Sequence, residues 1–399
     1  MKAKKLAYVV HAERPLNGIL ENQVFKLYNA FAVDNVNLSV TIYLLAHPLI
    51  YFKLLKDYQQ LKRNLKDKKI KLKVIPLILI PERWESYSVF LTKLSFYTNI
   101  LCYIFISFEQ FNTIICRSYV ASYNMCKVKQ LLTLKSDIIF DPRSVFPLER
   151  KSFEFFRSEK LYQFWIEREK FISNTVSKII FISEGMKEYY ISLDIMFQHK
   201  MVYLPICYDI PASSTNSEFS KQIDNKINLL YIGSMNIGMH NNDINHYLKR
   251  CKEILNLNKL VNFIFVFPKV SNEINQLFYN DSIFDGKVEF YEGKTEVEFW
   301  LKKANFGIYF LKEALDSNTR YGVKTVEYLC NGLPIIFDSG AGGIGDVAIK
   351  NNLGINISDS INIKTLNTLQ FDNNKIAQWA RKEHSIESNV KKLKSIVNF

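Results

Sequence analysis

Short apolar runs alternate with stretches of helical period along almost the whole chain, and that alternation limits the folds open to it more than any other feature. In the first half the runs fall at 6–10, 40–45, 71–75, 113–116, 137–140 and 178–182, with helices expected between them over 21–33, 51–65, 88–108, 121–132 and 151–174. A second series follows at 229–232, 263–267, 288–291, 306–310, 333–337 and 354–357. Strand, helix and strand in steady succession build a parallel sheet with right-handed crossovers. The expected class is α/β, with two Rossmann-like, doubly wound domains. Between the two series stands PASSTNSEFSKQIDN at 211–225, polar and turn-rich. Domains are therefore expected at 1–205 and 226–374, with a linker at 206–225 and a helical segment at 375–399. A chain of 399 residues is long enough for two cores of ordinary size.

Charge is uneven. Residues 1–200 hold 30 Lys and Arg against 18 Asp and Glu, and residues 201–399 hold 22 against 21, so the halves carry +12 and +1. Such a surplus fits an anionic membrane face, an acidic substrate or nucleic acid. Against nucleic acid, no helix-turn-helix, RNP or zinc-finger pattern occurs, and the basic residues are spread over several helices. The six cysteines, Cys102, Cys116, Cys126, Cys207, Cys251 and Cys330, show no close CxxC or Cys/His spacing. That argues against a zinc site or a disulfide framework and for a reducing cytoplasm. The opening MKAKKLAYVVHAERP has a short apolar run that ends at His11 and Glu13, which suits a first strand better than a signal peptide. The stretch VFLTKLSFYTNILCYIFISF at 89–108 has the length to span a bilayer, but Lys93, Ser95, Thr98 and Asn99 interrupt it. An aromatic, mostly buried helix is expected there, one able to lie at a membrane interface.

One segment carries chemistry: residues 320–346 read RYGVKTVEYLCNGLPIIFDSGAGGIGD. A short helix fits 323–330, Asn331-Gly332 is a stop signal, and Pro334 precedes an apolar strand. A helix starting near Gly322 turns unpaired N–H groups and its positive dipole end toward the preceding loop, where Arg320 and Lys324 add charge. Glu327, about one turn beyond Lys324, can accept hydrogen bonds from hydroxyls. Phosphate beside ribose describes a nucleotide, although the same three residues also make a plain charge ladder on a surface helix. With the Gly-Leu-Pro, strand and Gly-rich loop that follow, the segment resembles the donor-site signature of GT-B glycosyltransferases of family-four type. There a Lys or Arg serves the diphosphate and a Glu the ribose; Lys324, Glu327 and Asn331-Gly332-Leu333-Pro334 match. The family often has a first Glu eight residues before the ribose Glu, and that position here is Thr319. Asn318, Thr319 and Asp316 are the stand-ins for its contact with the donor sugar.

The resemblance implies two domains facing a central cleft, the C-terminal one for the nucleotide sugar and the N-terminal one for the acceptor, with a last helix within 375–397 crossing back to the first domain. Arg320 and Lys324 would meet the charge that develops on the leaving diphosphate. Gly233 and Ser234, in GSMNIGMHNND, would offer backbone N–H groups to it, and VEFYEGKTEV at 288–297 would read the base edge near Glu296 and Val297. In the first half PLNGILENQ, NTIICRSYVASY and IIFDPRSVFPLE look like acceptor-side loops of bacterial enzymes that build surface polysaccharides. Gly18 would leave room for a phosphate, or is an ordinary turn glycine. Asp141, at the C-terminal edge of its sheet, would stand near the acceptor hydroxyl. Arg117 and Arg143 would pair with Asp141 and Glu149 or bind an acceptor phosphate; a structural ion-pair network is the plainer reading.

The implied reaction transfers a sugar from a nucleotide-diphosphate sugar to a lipid-linked glycan, with retention, in capsule, O-antigen or related polysaccharide synthesis. No metal or other cofactor is expected, and the chain has no DxD motif. The expected partners are the nucleotide sugar, the glycan or lipid-linked acceptor and an anionic membrane at the inner face of the cell, and not nucleic acid. A rival reading rests on GAGGIG at 340–345, which matches G-x-G-x-x-G between a strand and a helix and would suit an NAD(P)-dependent oxidoreductase. The first βαβ unit of the chain has no such fingerprint.

Overall fold

The computed structural model describes residues 4–13, 18–78, 88–210, 226–235 and 243–397. The 211–225 linker, residues 15–17 of the PLNGILENQ loop and residues 236–242 of the GSMNIGMHNND loop lie outside the described residues. The chain divides into two compact units, one formed by Met1–Cys207 with Ile386–Phe399 and the other by Tyr208–Ser385.

In the first unit β1 (Lys4–His11), β2 (Leu38–Ala46), β3 (Ile70–Pro76), β4 (Thr113–Arg117), β5 (Asp137–Asp141), β6 (Lys178–Phe181) and β7 (Met201–Tyr203) form a parallel sheet in the order β3-β2-β1-β4-β5-β6-β7. The central strands are buried on both faces, as their unbroken apolar runs require. The edge strand β3 carries Lys71 and Lys73 and stays partly open. Chain order reverses between β1 and β4, so the switch point where open α/β sheets collect ligands lies at the C-terminal ends of those two strands.

The second unit repeats the plan. Its strands β8 (Ile227–Ile232), β9 (Val261–Phe267), β10 (Val288–Glu292), β11 (Phe306–Tyr309), β12 (Ile335–Phe337) and β13 (Gly354–Asn356) run parallel in the order β10-β9-β8-β11-β12-β13. The switch point falls between β8 and β11. This unit has its own aromatic core, with Phe263, Phe265, Phe278 and Phe284 packed on the β9–β10 side of the sheet.

Four helical expectations need correction. The helix expected over 51–65 is two, Pro48–Lys53 and Leu55–Asn64. That over 151–174 is also two, Phe146–Ser152 and Glu159–Thr175; the second starts afresh because the Ser158 Oγ accepts the Leu161 N–H at 3.3 Å. The 375–397 segment breaks into Asn373–His384 and Ile386–Val397 at an extended Ser385, which bridges to Tyr208. Only the last helix joins the first unit, where Val390, Leu393, Ile396 and Val397 enter the core. Lastly, the Val89–Ser107 helix, capped by Ser88, is not mostly buried: 39% of its apolar window is. Its buried face carries Thr92, Ser95, Asn99 and Tyr103, while Phe90, Leu94, Tyr97, Leu101 and Phe105 are exposed. Among the described residues it is the one helix long and apolar enough to cross a membrane, by length and composition.

Candidate active site

At the switch point of the second unit the chain leaves β8 through Gly233, whose φ of +128° few residues with a side chain adopt. The helix Val323–Cys330 begins nearby. Gly322 enters it extended, and it closes at Gly332, where the Gly332 N–H reaches the Leu329 carbonyl at 2.9 Å and the Leu333 N–H reaches that of Tyr328 at 3.0 Å. Val326, Tyr328, Leu329 and Cys330 bury one side of this helix, leaving Lys324 and Glu327 on the other. The Lys324 Nζ donates to the Tyr231 hydroxyl at 2.6 Å and lies 4.3 Å from that ring's centroid, and the Tyr231 hydroxyl donates to the Ser234 carbonyl at 2.8 Å. A Cβ on Gly233 would fall on the Lys324 Cε and Nζ, so the glycine is what allows the ammonium to rest on the turn.

Burial pushes the Lys324 ammonium down to about 7 against the opposing pull of Glu327. Burial also raises the Glu327 carboxyl, while Lys324 and a hydrogen bond from Tyr208 act to lower it. Tyr208 is itself placed by its N–H, which donates to the His384 carbonyl at 2.8 Å. Burial outweighs the Glu327 carboxylate at this lysine. The Gly233 N–H, expected to face a diphosphate, donates instead to the Val266 carbonyl at 2.9 Å, extending the sheet. What Gly233 supplies is close approach.

Arg320 points elsewhere. Its guanidinium holds Asp316 in a two-pronged pair, Nε to Oδ2 at 2.9 Å and Nη2 to Oδ1 at 2.8 Å, and donates to the Lys312 carbonyl at 2.9 Å. The guanidinium thus braces the loop ahead of the helix. Thr319 is buried with its hydroxyl donating to the Asp316 carbonyl at 2.8 Å, and Asn318 is exposed. Glu296 and Val297 sit in the first turn of the helix Lys294–Lys303 just after β10, not on a loop.

In the first unit the sheet's C-terminal edge gathers a second polar cluster. Asp141, wholly buried, accepts from the Tyr8 hydroxyl at 2.6 Å and from the Arg143 Nε at 2.9 Å. Its carboxylate thus orients Tyr8 and Arg143 rather than facing outward. Arg143 adopts a left-handed φ of 62° to make this turn. Arg117 pairs with Glu13 at 2.5 Å and donates to Gln23 at 3.4 Å; its carboxylate partner is Glu13 rather than Glu149 or Asp141. Gly18 begins a short helix, and a Cβ there would meet none of the described atoms within 4 Å.

No family model matches the sequence, and no curated protein matches it. Solved structures do. The N-terminal domain of trehalose-6-phosphate phosphatase from Candida albicans aligns over 99% of this chain and 96% of its own, at 13% identity and a TM-score of 0.67. The lipopolysaccharide outer core galactosyltransferase WaaB aligns over 99% of each chain at 12% identity and a TM-score of 0.66. HepE from Anabaena, in complex with UDP, gives the same coverage, identity and TM-score, and has also been solved with UDP-glucose. The chain has the GT-B glycosyltransferase fold.

Within this GT-B chain the Gly-rich loop has a packing role. A Cβ at Gly340 would strike the Leu311 carbonyl and one at Gly342 the Ser317 carbonyl, so these glycines let two loops at the sheet edge touch. Packing alone thus accounts for these two glycines, and beside the GT-B neighbours the oxidoreductase reading is not favoured. Sequence reasoning missed Tyr8, Glu13, His11 and His47 in the first unit. His11 ends β1 and bonds Tyr103 at 2.8 Å through Nδ1; burial, with His47 second, pushes it down to about 3, so it is neutral. The available signal was position: each of the four lies on β1 or just past the C-terminal end of β1 or β2.

Proposed function

We infer that the protein is a glycosyltransferase that moves a sugar from a nucleoside-diphosphate sugar to a glycan acceptor, lipid-linked, in the assembly of a bacterial surface polysaccharide. The observation that carries this reading is the Lys324–Tyr231–Gly233 contact at the switch point of the second unit, with Glu327 on the same helix face. The UDP and UDP-glucose bound by HepE support a nucleotide-sugar donor. Lys324 holds the diphosphate, and Glu327 exchanges its Tyr208 contact for the ribose hydroxyls. As the bond from the anomeric carbon to the diphosphate breaks, its electron pair passes to the phosphate oxygen, where the Lys324 ammonium and the helix N-terminus meet the charge. The acceptor hydroxyl oxygen bonds to that carbon on the same face and passes its proton to the departing phosphate oxygen. Arg143, held by Asp141, and Arg117, held by Glu13, serve the acceptor side. No metal is assigned a role.

The test is a thermal-stability screen of nucleotide sugars with the full chain, because a ligand bound only to the folded state raises stability by about RT ln(1 + [L]/Kd). One donor class should raise the Tm of the parent and raise that of Lys324→Ala and Glu327→Ala clearly less. If no nucleotide sugar shifts the parent while NADH does, the reading is wrong.

A further inference from the structure

We propose that the Val89–Ser107 helix docks the first unit on an anionic lipid surface, lying flat among the headgroups. Phe90, Leu94, Tyr97, Leu101 and Phe105, followed by Phe108, recur every three or four residues and so form one stripe along the helix. All are exposed; Phe90 is 71% and Tyr97 74% open. The inner face mixes Phe96, Cys102, Tyr103 and Ile106 with Thr92, Ser95 and Asn99, and it is tied down. Asn99 accepts the Ile78 N–H at 3.0 Å and donates to the Ser95 Oγ at 3.1 Å, and Tyr103 bonds His11. A surface helix normally turns a polar side to water; this one buries a mixed face held by hydrogen bonds and still offers an apolar stripe outward. The same bonds keep it from leaving the unit to span a bilayer.

Charge and area select the occupant. Residues 88–108 contain no Asp or Glu, and Lys93 stands beside the stripe. On the flank, Phe96 packs against Tyr123 and Phe164, over whose rings Lys127 and Arg168 lie. With the +12 of residues 1–200, the surroundings attract acidic headgroups and repel a second copy. The stripe is also small for a dimer: about 28 Å of helix and a strip about 10 Å wide give roughly 300 Å², against the ~800 Å² per partner of a stable interface. A few aromatic side chains at headgroup depth with cations beside them are what an interfacial helix uses.

The experiment is co-sedimentation of the full chain with vesicles of phosphatidylglycerol and phosphatidylcholine, without nucleotide, so its outcome is separate from that of the donor reading. The parent should sediment with the acidic vesicles, less so as salt rises, and poorly with phosphatidylcholine alone. Leu101→Asp with Phe105→Asp should weaken binding by about ten-fold or more, with an unchanged Tm because both positions are exposed. Val36→Asp with Ile195→Asp, an equal charge change at exposed apolar positions of the same unit, should weaken it far less. Equal losses in the two doubles would overturn the proposal, as would equal binding to neutral vesicles. A dimer in sedimentation velocity that the stripe variant dissociates, with no vesicle binding by the parent, would assign the face to a second copy instead.

Discussion

Lys324 and Glu327 share one helix face, and each is held away from its ordinary charge preference by burial. Between about 7 and 10.5 the unfolded chain keeps the Lys324 proton and the folded protein does not, so this residue makes stability rise as pH climbs through that window. A bound diphosphate reverses the balance by favouring the ammonium. Nucleotide binding at pH 8 should therefore take up a proton, and affinity should fall as pH rises above about 7. Calorimetry in buffers of different ionisation enthalpy measures the uptake, and Lys324→Arg, always charged, should abolish it. Identical binding heats in every buffer would remove Lys324 from the diphosphate. Glu327→Ala should weaken nucleotide binding by about 1 to 3 kcal/mol with the fold intact, as the loss of hydrogen bonds to a charged acceptor does. Unchanged affinity in the same calorimeter would take the ribose away from it. The sequence announced both residues because a helix start, a stop signal and Gly-Leu-Pro fix their places. The pairing of Arg320 with Asp316, four residues earlier, depends on how the loop folds back, which spacing alone does not show.

Glycines separate a structural from a ligand-bearing role at the scale of elements. Gly342 combines a φ of +59° with a Cβ position on the Ser317 carbonyl, so Gly342→Ala should lower the Tm of the second unit sharply. Gly18→Ala meets no described atom and should stay within about 0.5 kcal/mol of the parent, yet lower turnover if a ligand lies across that turn. Unfolding by heat and a turnover assay on the two variants would decide it, and the reverse pattern would contradict both assignments. The central strands were readable because they are apolar runs buried on both faces. The edge strand β7, three half-buried residues, gave no such signal. The merged helices were misread for a different reason: Ser158 is a helix start lying inside a continuous apolar and aromatic pattern, and periodicity drowned out the cap. The 89–107 helix shows the limit of composition, which gave its apolarity but not which face turns inward.

For the whole molecule, two cores imply two melting events. Calorimetry should resolve two transitions, and a nucleotide held by Lys324 and Glu327 should move only the one belonging to Tyr208–Ser385. A shift confined to the other transition would put the nucleotide in the first unit. Ending the chain at Ser385 should lower the transition of the first unit, although the deleted residues follow the second in sequence, because Leu393 and Ile396 fill the first unit's core.

That last helix also sets a schedule for biosynthesis. The ribosome makes the first unit's sheet early, then translates all of Tyr208–Ser385, and only then the helix that completes the first core against Tyr28 and Phe31. At ~5–20 residues per second, the intervening segment occupies roughly 10 to 35 s. Throughout that interval the nascent first unit carries an open apolar groove beside Leu27–Val33. Its native state forms only after all of Tyr208–Ser385 has been made, so the earlier-made unit completes its core later than the second unit is synthesised and needs chaperone cover for that interval.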